Sequence, residues 1–309
     1  MKISVIGAGN VGSFSAMNIA REELGDVVLV DILKGMAHGK ALDMDDACSA
    51  LKCSYSIQGT DDLSMIFSSD IVVITAGLAR KPGMTREDLI SKNASILNDV
   101  CREIKDRAPD AIVIVVTNPL DVMTFYALQL TGFSPSKVFG MGLTLDAARF
   151  RNLISKTLKI PNKGIEAVVI GSHGEGMMPI SRLTTIKGVP LDEFSDEKTT
   201  SLLENLTKDR GKEIVSFLGN GSAFFAPAVA VTELVRAVVR DEKLTFGVSA
   251  LLNGEYNVTG TCIGVPAVIG RNGIEKIVQL PLTENEQEFF SKIAGTLRGF
   301  YPSLPCAKV

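Results

Sequence analysis

The 309-residue sequence has no tryptophan and only two histidines, His38 and His173. A reaction that needs a histidine as acid or base must therefore use one of these two side chains. Cysteine is also sparse, since the five cysteines are odd in number and form no C-x-x-C pair. This pattern indicates neither a metal site nor a disulfide framework, and it favours a reducing compartment.

Charge of one sign is not in excess, because 32 Lys and Arg residues against 35 Asp and Glu residues give a net charge of -3. This balance leaves no electrostatic footprint for DNA or RNA, although it does not exclude a local cationic pocket for a small anion. No apolar run approaches the length of a membrane span, and the first one, which ends at Gly7, is too short for a signal peptide. We therefore expect a cytoplasmic protein with no nucleic-acid or membrane partner.

The composition is that of an ordinary globular protein, with 46% hydrophobic residues, and the length suits two domains. The first half alternates short Val- and Ile-rich runs with amphipathic segments, which predicts an α/β fold with a Rossmann-type doubly wound parallel sheet. The predicted strands are Ile3–Ile6, Val27–Val30, Ile71–Thr75, Ile112–Thr117 and Val138–Gly140. The predicted helices are about Val11–Leu24, Gly39–Ala50, Glu87–Arg107 and Leu120–Thr131.

The second half predicts a mixed α+β substrate domain that begins with a helix near Leu145. Its predicted strands are Ile165–Ile170, Ile180–Lys187, Thr261–Ile269 and Ile274–Leu280, and its predicted helices are Glu197–Leu218, Ala226–Arg240 and Glu284–Arg298. We place the boundary so that residues 1–142 bind the cofactor and residues 143–309 bind the substrate. No Pro- or Ser-rich linker separates the two halves, so we expect them to pack closely.

Residues 7–12 read G-A-G-N-V-G and lie between a predicted strand and a predicted helix. In that context the pattern G-x-G-x-x-G is typical of a dinucleotide site. Gly7 allows the tight turn, Gly9 lets the backbone approach a pyrophosphate, and Gly12 lets the helix pack close to the sheet. The N-terminus of the helix, at Asn10 and Val11, offers its N–H groups to the phosphates.

Asp31 follows Gly12 by 19 residues and ends the second predicted strand. A carboxylate there can accept both ribose hydroxyls of an adenosine, and it repels the 2′-phosphate of NADP, so NAD is the expected cofactor. The alternative is an ordinary glycine-rich turn followed by an exposed aspartate. The order of strand, motif, helix, strand and aspartate favours the dinucleotide site.

A loop with two arginines, Arg80 and Arg86, follows the strand Ile71–Thr75. In open parallel sheets the ligand crevice lies beyond the carboxyl ends of the strands, and this segment is long enough to act as a lid. Arginine suits planar carboxylates because it stays charged and can pair bidentately. A solvated basic loop is the alternative. Asn118 ends another strand at the same crevice, where it is either a turn residue or a ligand for substrate or cofactor.

A possible acid–base group occurs in the second half, where His173 lies between glycines in a loop that follows a predicted strand. A histidine that exchanges a proton near neutral pH benefits from a carboxylate partner, for which we choose Asp146. Asp146 and Arg149 are three residues apart and share one face of a helix. A simple surface ion pair is the alternative for these two residues, and His38 is interpreted as a surface residue near the start of a helix.

Together these motifs resemble the lactate/malate dehydrogenase family, and within it the lactate-dehydrogenase-like enzymes that act on malate. The resemblance covers nearly the whole chain. It rests on the glycine loop, Asp31, the arginine loop 75–86, T-N-P-L-D at 117–121, L-D-A-A-R-F-R at 145–151, S-H-G at 172–174 and G-S-A at 221–223. Two segments are less usual for the family, namely Ser172 and Glu175 around His173, and residues 140–144.

The resemblance implies reversible, NAD-dependent hydride transfer between (S)-malate and oxaloacetate, as in the tricarboxylic acid cycle. It assigns proton transfer to His173, orientation of His173 to Asp146, and binding of the C1 carboxylate to Arg149. Arg86 would polarise the C2 carbonyl, and Arg80 would select a second carboxylate. The further residues expected to contact substrate or cofactor are Thr75, Ala76, Gly77, Asn93, Thr117 and Asn118.

Two other functions stay open at this stage. The first is a dehydrogenase of another 2-hydroxy acid such as lactate, which Arg80 argues against because lactate dehydrogenases commonly carry Gln there. The second is a non-catalytic dinucleotide-binding sensor, which would not need His173, Asp146 and the arginines. The resemblance also implies a homotetramer or homodimer, with the helix Gly39–Ala50 as our candidate for part of an interface or, alternatively, a plain surface helix.

Overall fold

The computed structural model describes residues 1–54, 56–79, 84–174, 176–219 and 221–305. Within them, the first half contains strands β1 Lys2–Ile6, β2 Asp26–Val30, β3 Ile57–Thr60, β4 Ile71–Ile74, β5 Ile112–Val115 and β6 Val138–Gly140. Its helices are α1 Asn10–Arg21, α2 Met36–Leu51, α3 Arg86–Arg107 and α4 Leu120–Thr131.

The second half begins with helix α5, Thr144–Leu158, and continues with α6 Glu197–Leu218, α7 Phe225–Val239 and α8 Glu284–Gly299. Its strands are β7 Ile165–Glu166, β8 Val169–Gly171, β9 Met177–Pro179, β10 Thr185–Ile186, β11 Val189–Pro190, β12 Leu244–Asn253, β13 Thr259–Gly270 and β14 Gly273–Ile277. No helix in the described part of the chain combines the length and apolar composition needed to cross a bilayer.

The first six strands pair in parallel in the order β3-β2-β1-β4-β5-β6. Strands β4 and β5 are buried along their whole length, as their unbroken Val and Ile runs require. This strand order is that of a doubly wound dinucleotide-binding sheet, in which ligands bind beyond the carboxyl ends of the strands. The glycine loop, residues 75–79 and Asn118 all follow such ends.

The two halves share one sheet, because β12 of the second half pairs antiparallel with β6 of the first. The sheet then continues through β13, β8 and β9, so the loop that carries His173 lies in the same framework as the cofactor edge. At the junction Gly140 pairs with Ser249. A Cβ at Gly140 would lie 2.5 Å from Thr124 Oγ1 and 3.0 Å from Ser249 Cβ, so glycine permits this close approach.

Most of the sequence-based elements match the structure to within a few residues, and α6 matches at both ends. The prediction of a strand over Ile180–Lys187 is wrong, because residues 181–183 form a 3₁₀ turn and only Thr185–Ile186 is extended. The amide and hydroxyl of Thr184 both donate to the Ile180 carbonyl. These local hydrogen bonds hold residues 180–184 in a turn instead of an extended strand. The predicted strand Ile165–Ile170 is interrupted between β7 and β8.

Four strands are missing from the sequence-based prediction, namely β3, β12 and the short β9 and β11. β12 is ten residues long and lies between β6 and β13. The strand contains three small residues, Gly247, Ser249 and Ala250, which interrupt the run of β-branched residues that would indicate a strand. Small residues are needed there because a Cβ at Gly247 would lie 3.0 Å from Leu143 Cβ. β3 has only four residues, one of them a glycine, and lies at the sheet edge.

Candidate active site

The glycine loop connects β1 to α1 and is built by close backbone contacts. Gly7 has a φ of +107°, which favours glycine. A Cβ at Gly12 would overlap the carbonyl oxygen of Gly7, so the helix can pack this close only with glycine there. Thr75, at the end of β4, donates its hydroxyl to the Gly7 carbonyl at 2.9 Å and thereby fixes the loop against the sheet.

The N-terminus of α1 is open to an anionic ligand. Gly9 is the N-cap residue and supplies no side-chain cap, and the first turn contains no acidic residue. Gly9 and Asn10 are exposed, Val11 is half-buried, and a Cβ at Gly9 would meet no atom within 4 Å. Backbone N–H groups and the positive helix end therefore face free space, which fits the pyrophosphate of a dinucleotide.

Asp31 lies just after β2 and is half-buried. Its Oδ2 accepts a hydrogen bond of 2.7 Å from the Ala8 N–H, and its Oδ1 accepts one of 2.9 Å from the Leu33 N–H. Each carboxylate oxygen can accept a second hydrogen bond, so both stay available to ribose hydroxyls. The glycine loop itself thus orients the carboxylate that the sequence assigned to the adenosine ribose.

Lys40 is a residue of this site that the sequence analysis missed. It lies on α2, and its Nζ donates to the Ala8 carbonyl at 2.6 Å and to Ser13 Oγ at 3.2 Å. The lysine therefore holds the glycine loop from the side of α2 and brings a positive charge close to the expected phosphates. No motif in the sequence indicates this role, because the contact depends on how α2 packs beside α1.

Replacing Lys40 with methionine should raise the dissociation constant of NADH about tenfold, at the low end of the ~1.5–3 kcal/mol typical of a hydrogen bond from a charged group. The expected change is confined to cofactor affinity, with kcat at saturating NADH altered little. Fluorescence titration with NADH measures it. Lys52→Met is the matched control, since Lys52 is an exposed lysine beyond the other end of α2. Equal affinities of the parent and Lys40→Met would contradict this role.

The second cofactor edge is formed where β4 and β5 end. Among the residues expected there, Ala76 is half-buried and Gly77 and Asn118 are exposed. Thr117 is buried and donates its hydroxyl to the Ala76 carbonyl at 2.7 Å. These contacts leave Gly77 and the Asn118 side chain at the surface of the crevice.

Asn93 contributes to the same edge without an exposed atom of its own. Its Oδ1 accepts from the Leu78 N–H at 2.7 Å, while its Nδ2 donates to the carbonyls of Leu78 and Asn118. The side chain is fully buried on α3. Asn93 therefore joins the loop after β4 to the turn after β5, which differs from the direct cofactor contact expected from the sequence.

His173 and Asp146 lie together in the second half, as the sequence predicts. Nδ1 of His173 is 2.6 Å from Oδ2 of Asp146, whose side chain is fully buried at the start of α5. A carboxylate can only accept, so Nδ1 carries the hydrogen and the neutral ring leaves Nε2 as a proton acceptor. The His173 side chain is 18% exposed, so the ring is accessible from one side.

The surroundings of His173 raise its affinity for a proton. Burial lowers the pKa of His173, but the Asp146 charge and hydrogen bond outweigh burial, and the net pKa lies above the ordinary histidine value. Arg149 acts in the opposite direction, and Asp121 adds to the increase. The paired carboxylate thus stabilises the protonated ring, as an acid–base group requires.

Arg149 lies one turn after Asp146 on α5. Its Nη1 donates to Asp146 Oδ1 at 3.1 Å, and its side chain is 11% exposed. Its Nε is buried and has no hydrogen-bond partner in the described residues. An unmet buried donor is costly, so the edge formed by Nε and Nη2 is suited to a carboxylate that accepts two parallel hydrogen bonds.

Asp121 is a second residue that the sequence analysis missed, although it lies within the T-N-P-L-D segment. It is 3% exposed in the first turn of α4. Its Oδ2 accepts from Ser172 Oγ at 2.9 Å and from the His173 N–H at 3.0 Å, and its Oδ1 accepts from Ser249 Oγ at 2.7 Å. An aspartate six residues after a strand gives no sign of this arrangement in the sequence.

Arg86 is the first residue of α3, where Thr85 and Asp88 form a capping box. Its guanidinium carbon lies 4.6 Å from the centroid of the Phe300 ring, a cation–π contact. No hydrogen bond or ion pair joins Arg86 to His173, Asp146 or Arg149 in the described residues. Arg80 and Glu175, which the sequence places beside the substrate and beside His173, lie outside the described residues.

Residues 1–140 match the model of the lactate/malate dehydrogenase NAD-binding domain, and residues 143–300 match that of the α/β C-terminal domain. The chain belongs to the lactate/malate dehydrogenase family. The predicted resemblance and the NAD cofactor are thereby confirmed, and the strand order agrees with the predicted Rossmann-type fold.

Members of the lactate/malate dehydrogenase family resemble this chain along its whole length. Malate dehydrogenase from Methanosarcina mazei is 47% identical over 298 residues, which cover 96% of this chain and 97% of the relative. The crystal structure of Cryptosporidium parvum malate dehydrogenase has a TM-score of 0.95 at 38% identity and covers 98% of both chains. A second similar structure is lactate dehydrogenase from Cryptosporidium parvum, complexed with lactic acid and β-nicotinamide adenine dinucleotide. It has a TM-score of 0.95 at 36% identity, and the match covers 99% of this chain and 98% of that one.

Proposed function

We propose that this chain is an NAD-dependent malate dehydrogenase that interconverts (S)-malate and oxaloacetate. The observation that carries the proposal is the cluster of His173, Asp146 and Arg149, in which an oriented imidazole lies beside an arginine with an unmet buried Nε. A proton acceptor next to a carboxylate receptor is what oxidation of a 2-hydroxy acid requires.

Separate residues bind the cofactor and transfer the proton. Bound NAD supplies the hydride acceptor, and the glycine loop, Asp31 and the exposed edge at Gly77 and Asn118 hold it. Nε2 of His173 takes the hydroxyl proton from malate and returns it when oxaloacetate is reduced. Asp146 keeps the proton on Nδ1 and stabilises the imidazolium.

The substrate is bound by Arg149, by the two arginines of the loop and by Asn118. Arg149 binds the C1 carboxylate through Nε and Nη2, because Nη1 already donates to Asp146. Arg86 polarises the C2 carbonyl, and the exposed amide of Asn118 donates to the substrate. Arg80 pairs with the second carboxylate, which distinguishes a dicarboxylate from lactate or pyruvate.

The second candidate is a lactate dehydrogenase, which the similarity to the Cryptosporidium parvum enzyme brings into consideration. Arg80 favours malate, because a guanidinium that became buried over the substrate without a carboxylate partner would cost roughly 3–5 kcal/mol. The non-catalytic sensor is disfavoured by the cluster around His173, since binding of a dinucleotide needs no oriented imidazole.

Initial rates with oxaloacetate and pyruvate, each with NADH and NADPH, test the proposal. We expect kcat/KM for oxaloacetate with NADH to exceed that for pyruvate by on the order of 10²–10³-fold, the equivalent of the cost of an unpaired arginine. Arg80→Gln should reduce this ratio by at least tenfold, with Lys81→Gln as the neighbouring control. Preference of the parent for pyruvate would make it a lactate dehydrogenase, and no turnover at all would leave a sensor.

The quaternary structure and the location in the cell belong to the same proposal. A homotetramer or homodimer in the cytoplasm suits a soluble enzyme of the tricarboxylic acid cycle, and α2 presents exposed Met36, Leu42 and Leu51. A subunit interface over α2 would cover these side chains.

A further inference from the structure

Asp121 is a buried carboxylate that takes no part in the proton transfer described above, yet it contacts the loop that carries His173. We propose that Asp121 is a positioning residue for the reaction, whose carboxylate fixes the main chain of the His173 loop against helix α4. This inference rests on the proposed function of His173 as the acid–base group.

The hydrogen bonds of Asp121 reach two consecutive residues of the loop. Oδ2 accepts from Ser172 Oγ and from the His173 N–H, at 2.9 and 3.0 Å. A backbone N–H can only donate, and a buried one needs an acceptor. Oδ2 therefore provides the acceptor that defines where the His173 main chain lies.

His173 is consequently held at two points by two different helices. Asp146 of α5 fixes Nδ1 of the ring, and Asp121 of α4 fixes the main-chain nitrogen. One contact alone would let the ring rotate about the other end of the residue. Catalytic groups need placement to within about half an ångström, which two independent anchors on rigid helices supply.

The position of Asp121 also relates His173 to the cofactor edge. Asn118 and Asp121 lie three residues apart, at the point where the chain passes from β5 into α4. Oδ1 of Asp121 accepts from Ser249 of β12, which pairs with Gly140 where the two halves of the sheet meet. The same short segment thus places an amide at the cofactor crevice and an acceptor beneath the acid–base loop.

The charged groups that face His173 in the described residues are Asp146 and Arg149 from α5 and Asp121 from α4. Burial raises the pKa of Asp121, while its hydrogen bonds and the His173 charge oppose this increase. On the β13 side, burial raises the pKa of Cys262 and of Tyr301, so both stay neutral beside Asp121. A change of charge at Asp121 should therefore alter mainly the pKa of His173.

Two variants separate position from charge. In Asp121→Asn the amide oxygen can still accept from Ser172 and His173, and the amide nitrogen can donate to Ser249 Oγ. We expect kcat to stay within about fivefold of the parent, with the pH midpoint of His173 lowered because the negative charge is gone. In Asp121→Ala the His173 N–H loses its acceptor, and we expect kcat to fall by on the order of 10²-fold, as for a displaced catalytic group.

Two measurements are kcat in both directions and the dissociation constant of NADH by fluorescence. The third is the pH dependence of His173 modification by diethyl pyrocarbonate, which peptide mass spectrometry reports. The last needs no turnover, and His38, which is exposed on α2, is its internal control. Unchanged NADH affinity beside a lower kcat in Asp121→Ala supports the inference. A kcat within twofold of the parent, or a loss of NADH affinity equal to the loss of kcat, overturns it.

If Asp121→Ala does not fold, Asp121→Glu decides, because it keeps the charge but moves the acceptor by one methylene: a lower kcat at unchanged NADH affinity supports the inference, and a parental kcat overturns it. If the parent shows no turnover, the rate of His173 modification relative to that of His38 decides, with a changed rate in Asp121→Ala in support and a parental rate against. Absence of turnover contradicts the proposed function, whereas an active parent with an unaffected Asp121→Ala contradicts only the role of Asp121.

Discussion

Replacing His173 with asparagine is expected to lower kcat by about 10²–10⁴-fold for both malate oxidation and oxaloacetate reduction, the range typical of a lost general acid–base group. Asparagine fills similar space and can donate to Asp146, but it cannot exchange a proton near neutral pH. Initial rates of NAD reduction and NADH oxidation measure the effect. His38→Asn is the control, because His38 is exposed on α2, and a rate for His173→Asn near that of the parent would refute the assignment.

The pH profile of the parent should report the same residue with opposite signs in the two directions. Malate oxidation needs neutral His173, so its rate falls as pH falls through the His173 pKa. Oxaloacetate reduction needs the protonated ring, so its rate falls as pH rises through it. Because the pKa of His173 is raised, both limbs should lie above the ordinary value of about 6.5. Profiles without these limbs would contradict the mechanism.

The second large effect is expected at Arg149. Arg149→Met removes the receptor for the C1 carboxylate and leaves Asp146 Oδ1 without its cationic partner. A substrate carboxylate that loses its buried cationic partner costs roughly 2–5 kcal/mol of binding free energy, so kcat/KM for oxaloacetate should fall by on the order of 10²–10³-fold. Steady-state kinetics under subsaturating substrate measure the loss.

Two further variants sharpen that experiment. Arg149→Lys keeps the charge but not the fork geometry, so its kcat/KM should lie between those of the parent and Arg149→Met. Lys156→Met removes an exposed cation from the same helix and should behave like the parent. If Arg149→Met and Lys156→Met had the same kcat/KM, Arg149 would not bind the substrate carboxylate.

The sequence predicted the parallel sheet well because its strands are unbroken runs of Val and Ile and its cofactor motif lies within one strand–helix unit. It also predicted the contact of Asp146 with His173, since few histidines left few choices. The strand β12 was missed because close packing at Gly247 and Ser249 requires small residues that weaken the strand pattern.

Lys40 and Asp121 were missed for a related reason. Each acts on a loop that is distant in sequence, through contacts with Ala8 and Ser13 in one case and with Ser172, His173 and Ser249 in the other. No local spacing encodes such contacts, because they arise only when the helices have packed. Asn93 is the opposite case, because the sequence suggested a direct cofactor contact for it. Its side chain is fully buried in the structure and supports the two loops instead.

The antiparallel pairing of β6 with β12 has a consequence for synthesis of the chain on the ribosome. β6 leaves the ribosome roughly a hundred residues before its partner β12, a delay of roughly 5–20 s at typical elongation rates. During that time one edge of the nascent parallel sheet is unpaired, and such edges promote aggregation. The short length of β6, three residues, limits the edge that is exposed until β12 arrives.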